Sequence, residues 1–252
     1  MSARRRHGGR NALLLVAALF ALWQAMYWAV GDAALSSPLA TLRYTANLVT
    51  GENFRMHLFD TMRAFAIAFV LSVVIGLLVG FWLGFDRLSG DALEPMIVTV
   101  YAIPKLTLYP ILLLAFGLGL SAKVAFGVLH GTIPIILFTL GAVRNTKPIL
   151  LKTGRIMRLT PIDTALRLTL PAAAPYILTG VKLAVAYAFI GIIGSEFILS
   201  RGGIGYEINF AYNSFDNATM YPLIVLILLA SIAINTVLTR WEQTLLARRG
   251  AR

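Results

Sequence analysis

Four stretches of this chain, about 12–30, 64–85, 124–143 and 218–239, run on without a single Asp, Glu, Lys or Arg. A helix of roughly 20 apolar residues matches the hydrocarbon thickness of a bilayer, and inside lipid only a helix or a closed barrel pairs every backbone group. Two further runs of that length, 96–117 with Lys105 and 177–199 with Lys182 and Glu196, complete a set of six. The expectation is an all-α membrane protein with six transmembrane helices.

Charge then fixes an orientation. A net charge of +11 in a soluble protein would suggest nucleic acid, but here 58% of residues are hydrophobic and the basic ones cluster beside the spans. Arg4, Arg5, Arg6 and Arg10 precede the first span; Arg144, Lys147, Lys152, Arg155, Arg158 and Arg167 lie between the fourth and fifth; Arg240, Arg248, Arg249 and Arg252 end the chain. Basic residues near short loops stay cytoplasmic, which places both termini inside a multi-pass protein of the cell (inner) membrane, in contact with lipid and with no nucleic-acid partner. The run after "MSARRRHGGR" exceeds a signal peptide's usual 7–15 apolar residues and reads as an uncleaved signal anchor. The expected division is 1–57 for this anchor and an external linker, which holds a short interfacial helix, 58–245 for the transmembrane domain and 246–252 for a basic cytoplasmic tail. Gly76, Gly80 and Gly84 share one helix face, a spacing that permits close helix approach, within the chain or against a second copy.

The longest polar segment, 144–176, reads as a cytoplasmic helical hairpin. In "TPID", Thr160 is a candidate N-cap, Pro161 takes the first helical position and Asp163 the third. Short helices are expected over about 149–158 and 161–170, the second with Ile162, Leu166 and Leu170 on one stripe. In "LTLPAAAPYILTG" (168–180), Pro171 is expected to end that helix and Pro175 to open the fifth span.

These residues resemble the permease subunits of binding-protein-dependent ABC importers, in particular the nitrate, sulfonate and taurine branch. The family's cytoplasmic loop reads Glu-Ala-Ala, three residues, Gly, nine residues, Ile, one residue, Leu-Pro. With Leu170-Pro171 in register, Leu168 takes the Ile position, Arg158 the Gly, and Lys152, Thr153 and Gly154 the Glu-Ala-Ala. "LPAAAPYILTGVKLA", "LEPMIVTVYAIPKLTLYPILLLAFGLG" (93–119) and "RGGIGYEI" (201–208) are similar to the branch in the expected order. The resemblance implies the type I importer permease fold, a dimer with a second permease subunit (preferably a second copy), a cytoplasmic ATPase dimer and an external solute-binding protein. It assigns ATPase coupling to the hairpin: Lys152, Gly154, Arg155, Arg158, Thr160, Pro161, Asp163, Leu166, Leu168, Leu170 and Pro171. No Walker-type phosphate loop occurs, so ATP hydrolysis is expected on a separate subunit, with no catalytic residue, metal or cofactor on this chain. Lys152 reverses the family's acidic charge, and Arg158 stands where a glycine ends the first helix.

Lys105, Glu196, Gly203 and Gly205 are candidates for the solute pathway or its gate. Lys105 either attracts an anion or, more simply, pairs with a carbonyl beside Pro104. Glu196 either pairs with Arg201 near a gate or sits at a solvated helix end. His130 reads as a lone histidine bonded to a neighbouring helix. An ion-gradient-driven secondary transporter is the alternative, but no inverted repeat or set of intramembrane acids accompanies Glu196; an intramembrane enzyme would need more than His130. The expected solute is a nitrate-, sulfonate- or taurine-like anion, or a heterocycle such as a thiamine precursor or riboflavin.

Overall fold

The helix holding the uncharged run 64–85 continues well beyond the bilayer requirement. In the computed structural model, which describes residues 2–32 and 34–250 (side chains of 2–10, 12, 161 and 245–250 aside), α3 spans Glu52–Phe85. Its 34 residues reach about 50 Å, so one end carries polar side chains past the apolar run. Beside it lie α6 (Leu120–Arg144) and the helix containing α9 (Leu170–Ile198), and these three form the centre of the bundle. Met1, Ala33, Ala251 and Arg252, and the side chains of Arg4, Arg5, Arg6, Arg10, Arg248 and Arg249, lie outside the described residues.

The small-residue face of α3 meets α6 within the chain. Gly76 lies under Ile135, Gly80 under Thr139 and Gly84 under Val143, each so close that an added methyl would collide. Between helices in lipid, backbone approach and dispersion contacts replace the hydrophobic drive available in water. Ala64, Ala68 and Ile192 fill one half of the core, and Leu83, Ile136 and Leu140 the other.

The first span, α1 (Ser2–Val30), is apolar and exposed along its whole spanning window. The 31–57 linker holds the short helix anticipated there, α2 (Pro38–Thr50), with Ser37 as N-cap and Pro38 opening it. That helix packs mainly on the last one, α11 (Asn217–Gly250), whose sides are otherwise largely exposed. Among the described residues every regular element is helical.

The third span is not a single rod. It divides into α4 (Arg87–Ala102), a 3₁₀ turn at Lys105–Leu108 and α5 (Tyr109–Phe116), bent by 92° at the break. Proline disfavours a helical residue before it, and Ile103, preceding Pro104, is extended at φ −64, ψ 136. The start of α4 is tied to the end of α6 by Arg144, which reaches Asp91 at 2.8 Å and Glu94 at 2.9 Å.

The hairpin forms, with one departure from expectation. α7 (Pro148–Ile156) and α8 (Pro161–Thr164) are its two arms, but the second does not stop at Pro171. One π turn, Ala165–Thr169, carries the helix directly into α9, and the Leu170 N–H reaches back to the Ala165 carbonyl. A proline lacks the N–H and crowds the carbonyl four residues earlier; widening the turn by one residue accommodates Pro171 without a break. Pro175 therefore lies inside the helix, and residues Ile162–Ile198 form one continuous segment.

Candidate functional site

Two groups of residues, at opposite ends of that continuous helix, concentrate the unusual chemistry. At the hairpin end, Thr160 caps α8: its Oγ accepts the Asp163 N–H at 3.1 Å and donates to the Asp163 carboxylate at 2.7 Å. Asp163 in turn pairs with Arg167 at 3.3 Å. The capping arrangement expected at 160–163 is present. Pro161 is the first residue of the arm, and Lys152 and Arg155 are exposed on α7.

The bend between the arms shows how the chain manages without the family's glycine. Arg158 adopts φ 51, in the left-handed region. The Leu159 N–H reaches the Gly154 carbonyl at 2.9 Å and the Arg158 N–H the Arg155 carbonyl at 3.0 Å, the two bonds of a Schellman cap. Gly154 is buried beneath Thr164, with Leu168 beside it, so the arms meet closely. The left-handed conformation costs a residue with a Cβ about 1–2 kcal/mol, and glycine's greater freedom when unfolded returns about 0.4–1 kcal/mol. Arg158→Gly is therefore expected to stabilise the bend by roughly 0.5–1 kcal/mol, seen as slower hydrogen exchange at the Leu159 amide; faster exchange would contradict this account.

The apolar stripe divides. Leu170 is half-buried against Ala142, Ala173 and Ile177, while Ile162 is 72% and Leu166 59% exposed. On α7 and the bend, Ile156 at 82% and Met157 at 62% are also exposed, so the hairpin carries these four bare apolar side chains along with the exposed Arg155 and Arg158.

At the other end, Glu196 is 1% exposed. It does not pair with Arg201, nor is it a solvated helix end: Lys123 of α6 reaches its Oε1 at 3.1 Å, and Thr61 of α3 donates to its Oε2 at 2.8 Å. Burial of a carboxylate requires such compensation. The turn 199–203 and α10 (Ile204–Asn213) close over this pair. Lys123 also donates to the Gly202 carbonyl at 2.6 Å, and three consecutive amides at the start of α10 find side-chain acceptors: Gly203 on His57 Nδ1 (3.0 Å), Ile204 on the Thr61 hydroxyl (2.8 Å) and Gly205 on Glu196 Oε2 (3.1 Å). Gly203, at φ 105, lies directly against the Glu196 carboxylate, where no side chain fits.

Residues 72–250 match the family model described as the binding-protein-dependent transport system inner membrane component. The chain belongs to this family. The permease is 27% identical over 208 residues to a Bacillus subtilis (strain 168) protein named for aliphatic sulfonates transport, SsuC, covering 81% of this chain and 75% of that one. It is 25% identical over 226 residues to the nitrate import permease NrtB of Leptolyngbya laminosa, covering 86% and 80%. Its fold is similar to the inward-facing MetNI methionine ABC transporter, with TM-score 0.63 at 17% identity over 83% of this chain and 99% of that one. An amino acid ABC transporter gives 0.62 at 13% identity, covering 82% and 97%.

The remaining candidate residues make separate contacts. The Lys105 ammonium is buried, donating to the Tyr101 carbonyl at 2.9 Å and lying 4.8 Å from that ring's centre, the simpler of the two readings. His130 bonds the Phe126 carbonyl of its own helix at 2.9 Å, rather than a neighbouring helix. Glu196, Gly203 and Gly205 do come together. Sequence reasoning missed Thr61, Lys123 and His57 in that network, and the Arg144 clamp. An acid pair at Asp91 and Glu94 on one face of a helix was the available signal for the clamp.

Proposed function

We propose that this chain is the membrane-spanning subunit of an ATP-driven importer that moves a small solute inward by alternating access, with the basic end of the bundle and both termini in the cytoplasm. The observation that carries the reading is the hairpin. Bare apolar side chains together with exposed arginines suit a protein groove, and the second arm, which carries Ile162 and Leu166, is one helix with a central member of the bundle. Closure of a paired ATPase dimer would push the hairpin, and the stiff helix would pass that displacement to the far end as a tilt. Residues 58–245 act as the permease domain, and 1–57 supplies an anchor and the external linker. Lys152, Arg155 and Arg158 make the docking surface basic, which calls for acidic residues on the ATPase.

For the solute, a small oxyanion or sulfonate is favoured over a heterocycle, because relatives covering most of the chain are named for nitrate and aliphatic sulfonates. Affinity purification of the complex from its native membrane, followed by a ligand screen on the external protein recovered with it, tests both parts. The expected result is an ATPase dimer, two permease subunits and a binding protein that takes nitrate or a sulfonate. Recovery without an ATPase would overturn the mechanism; a binding protein that takes only heterocycles would overturn the solute assignment.

A further inference from the structure

His57 lies on α3 before the apolar run begins, buried beneath the turn that joins α9 to α10. Both ring nitrogens are committed. Nδ1 accepts the Gly203 N–H at 3.0 Å, and Nε2 stands 2.7 Å from Glu207 Oε1, which also receives the Asn53 amide at 3.3 Å. An imidazole nitrogen that accepts an N–H carries no proton of its own, so these contacts specify the neutral tautomer with hydrogen on Nε2.

We propose that His57 is a proton-operated latch on the outer turn of this permease: closed while Nδ1 is bare, and released when a proton takes Nδ1 and leaves the Gly203 N–H without its acceptor. The proposal rests on the reading that this end of the bundle faces outward, where pH varies independently of the cytoplasm. Histidine is the side chain whose charge changes between pH 5 and 8.

The surroundings set the terms of that change. Glu207 on α10 brings negative charge to the ring, and the start of α10 turns its partial positive charge towards it. Tyr206 lies against the ring with centroids 5.7 Å apart, adding no charge. From α3, Asp60 faces Gly202, and with Arg63, Lys123 and Arg201 it borders a small cavity at the edge of the turn. The Lys123–Glu196 pair lies one hydrogen bond further in, through Thr61. Thr61 and Glu196 hold the next two amides, Ile204 and Gly205. Protonation therefore removes the first of three adjacent restraints, and α10 begins to come away at Gly203.

Hydrogen exchange of the full-length chain in lipid nanodiscs, read at Gly203–Gly205 and corrected for intrinsic exchange rates, tests the latch. In the native chain, protection at Gly203 is expected to fall at least tenfold between pH 8 and pH 5.5, with Gly205 losing less. His57→Gln can accept with its carbonyl and donate with its amide, and is expected to keep protection at both pH values. Nitrogen NMR of the imidazoles in the unsubstituted chain, which has only three histidines, gives an arm that does not depend on the variant: the doubly protonated ring should arise over the same pH range as the loss of protection. Unchanged protection while His57 becomes protonated would overturn the proposal, as would a ring that stays neutral to pH 5. Equal loss of protection in His57→Gln would assign the effect to Asp60, Glu196 or Glu207 instead and would also overturn it. These measurements need neither ATPase nor solute, so their outcome is separate from that of the complex purification.

Discussion

Glu196→Ala is expected to destabilise the protein by about 3–5 kcal/mol, the usual result of removing one partner of a buried ion pair. The substitution leaves the Lys123 ammonium 6% exposed with only the Gly202 carbonyl as partner, and strips the Thr61 hydroxyl and the Gly205 amide of an acceptor. Lys123→Met should cost a similar amount by isolating the carboxylate. The double variant Lys123→Met with Glu196→Gln is expected to recover more than half of the loss, since glutamine still accepts from Thr61 and Gly205 without a buried charge. Chemical or thermal unfolding in detergent, with all three variants compared, measures this. A loss below about 1 kcal/mol for Glu196→Ala would place the pair among weak surface contacts and refute this account of the Glu196 network.

The second large effect concerns coupling. Ile156→Asp and Ile162→Asp, at side chains 82% and 72% exposed, remove apolar knobs that hold nothing in the subunit itself. Each isoleucine is worth about 1.5–3 kcal/mol if buried by a partner, and a charge in its place adds a desolvation cost. Each variant is therefore expected to fold and insert normally but to lower solute-stimulated ATP hydrolysis of the reconstituted complex by at least tenfold, since about 1.4 kcal/mol is already a factor of ten. Normal stimulation in both would show that the hairpin's apolar cluster is not the docking surface. Leu166→Pro is the harsher companion, because it breaks the helix at the π turn; membrane insertion should survive it while coupling is lost.

What the sequence disclosed tracks the range of the interactions involved. Hydropathy marked the membrane runs because lipid acts on each segment separately, and the Thr160–Asp163 cap was legible because both members lie within one turn. The 92° break in the third span left a local trace in Ile103-Pro104, but proline inside a membrane run is compatible with a kink, a bulge or a break, and packing decides among them. Pro171 illustrates the same ambiguity: the residue that looked like a terminator is absorbed by a wider turn. The network around Glu196 was the least legible part. Lys123 and Glu196 are 73 residues apart, and Thr61 and Glu196 are 135 apart. Nothing in local spacing connects a lysine outside the apolar run with an acid near a helix end; only the packing of α3 and α6 against the oppositely directed α9 brings them level.

The π turn at Ala165–Thr169 has one geometrical consequence of its own. A helix advances about 100° around its axis with each residue, and a π turn holds one residue more than an α turn. The direction in which α8 leaves the bundle therefore differs by one residue's rotation from that of a plain α-helix of the same sequence, as a keyway sets the angle of a shaft. Deleting a single residue there would let the helix run as plain α with Ile162 and Asp163 near their present azimuth, whereas winding the same residues as plain α would swing them about 100° around the axis. The azimuth at which this permease presents its hairpin is kept by that one wider turn, independently of how long or how stiff the helix is.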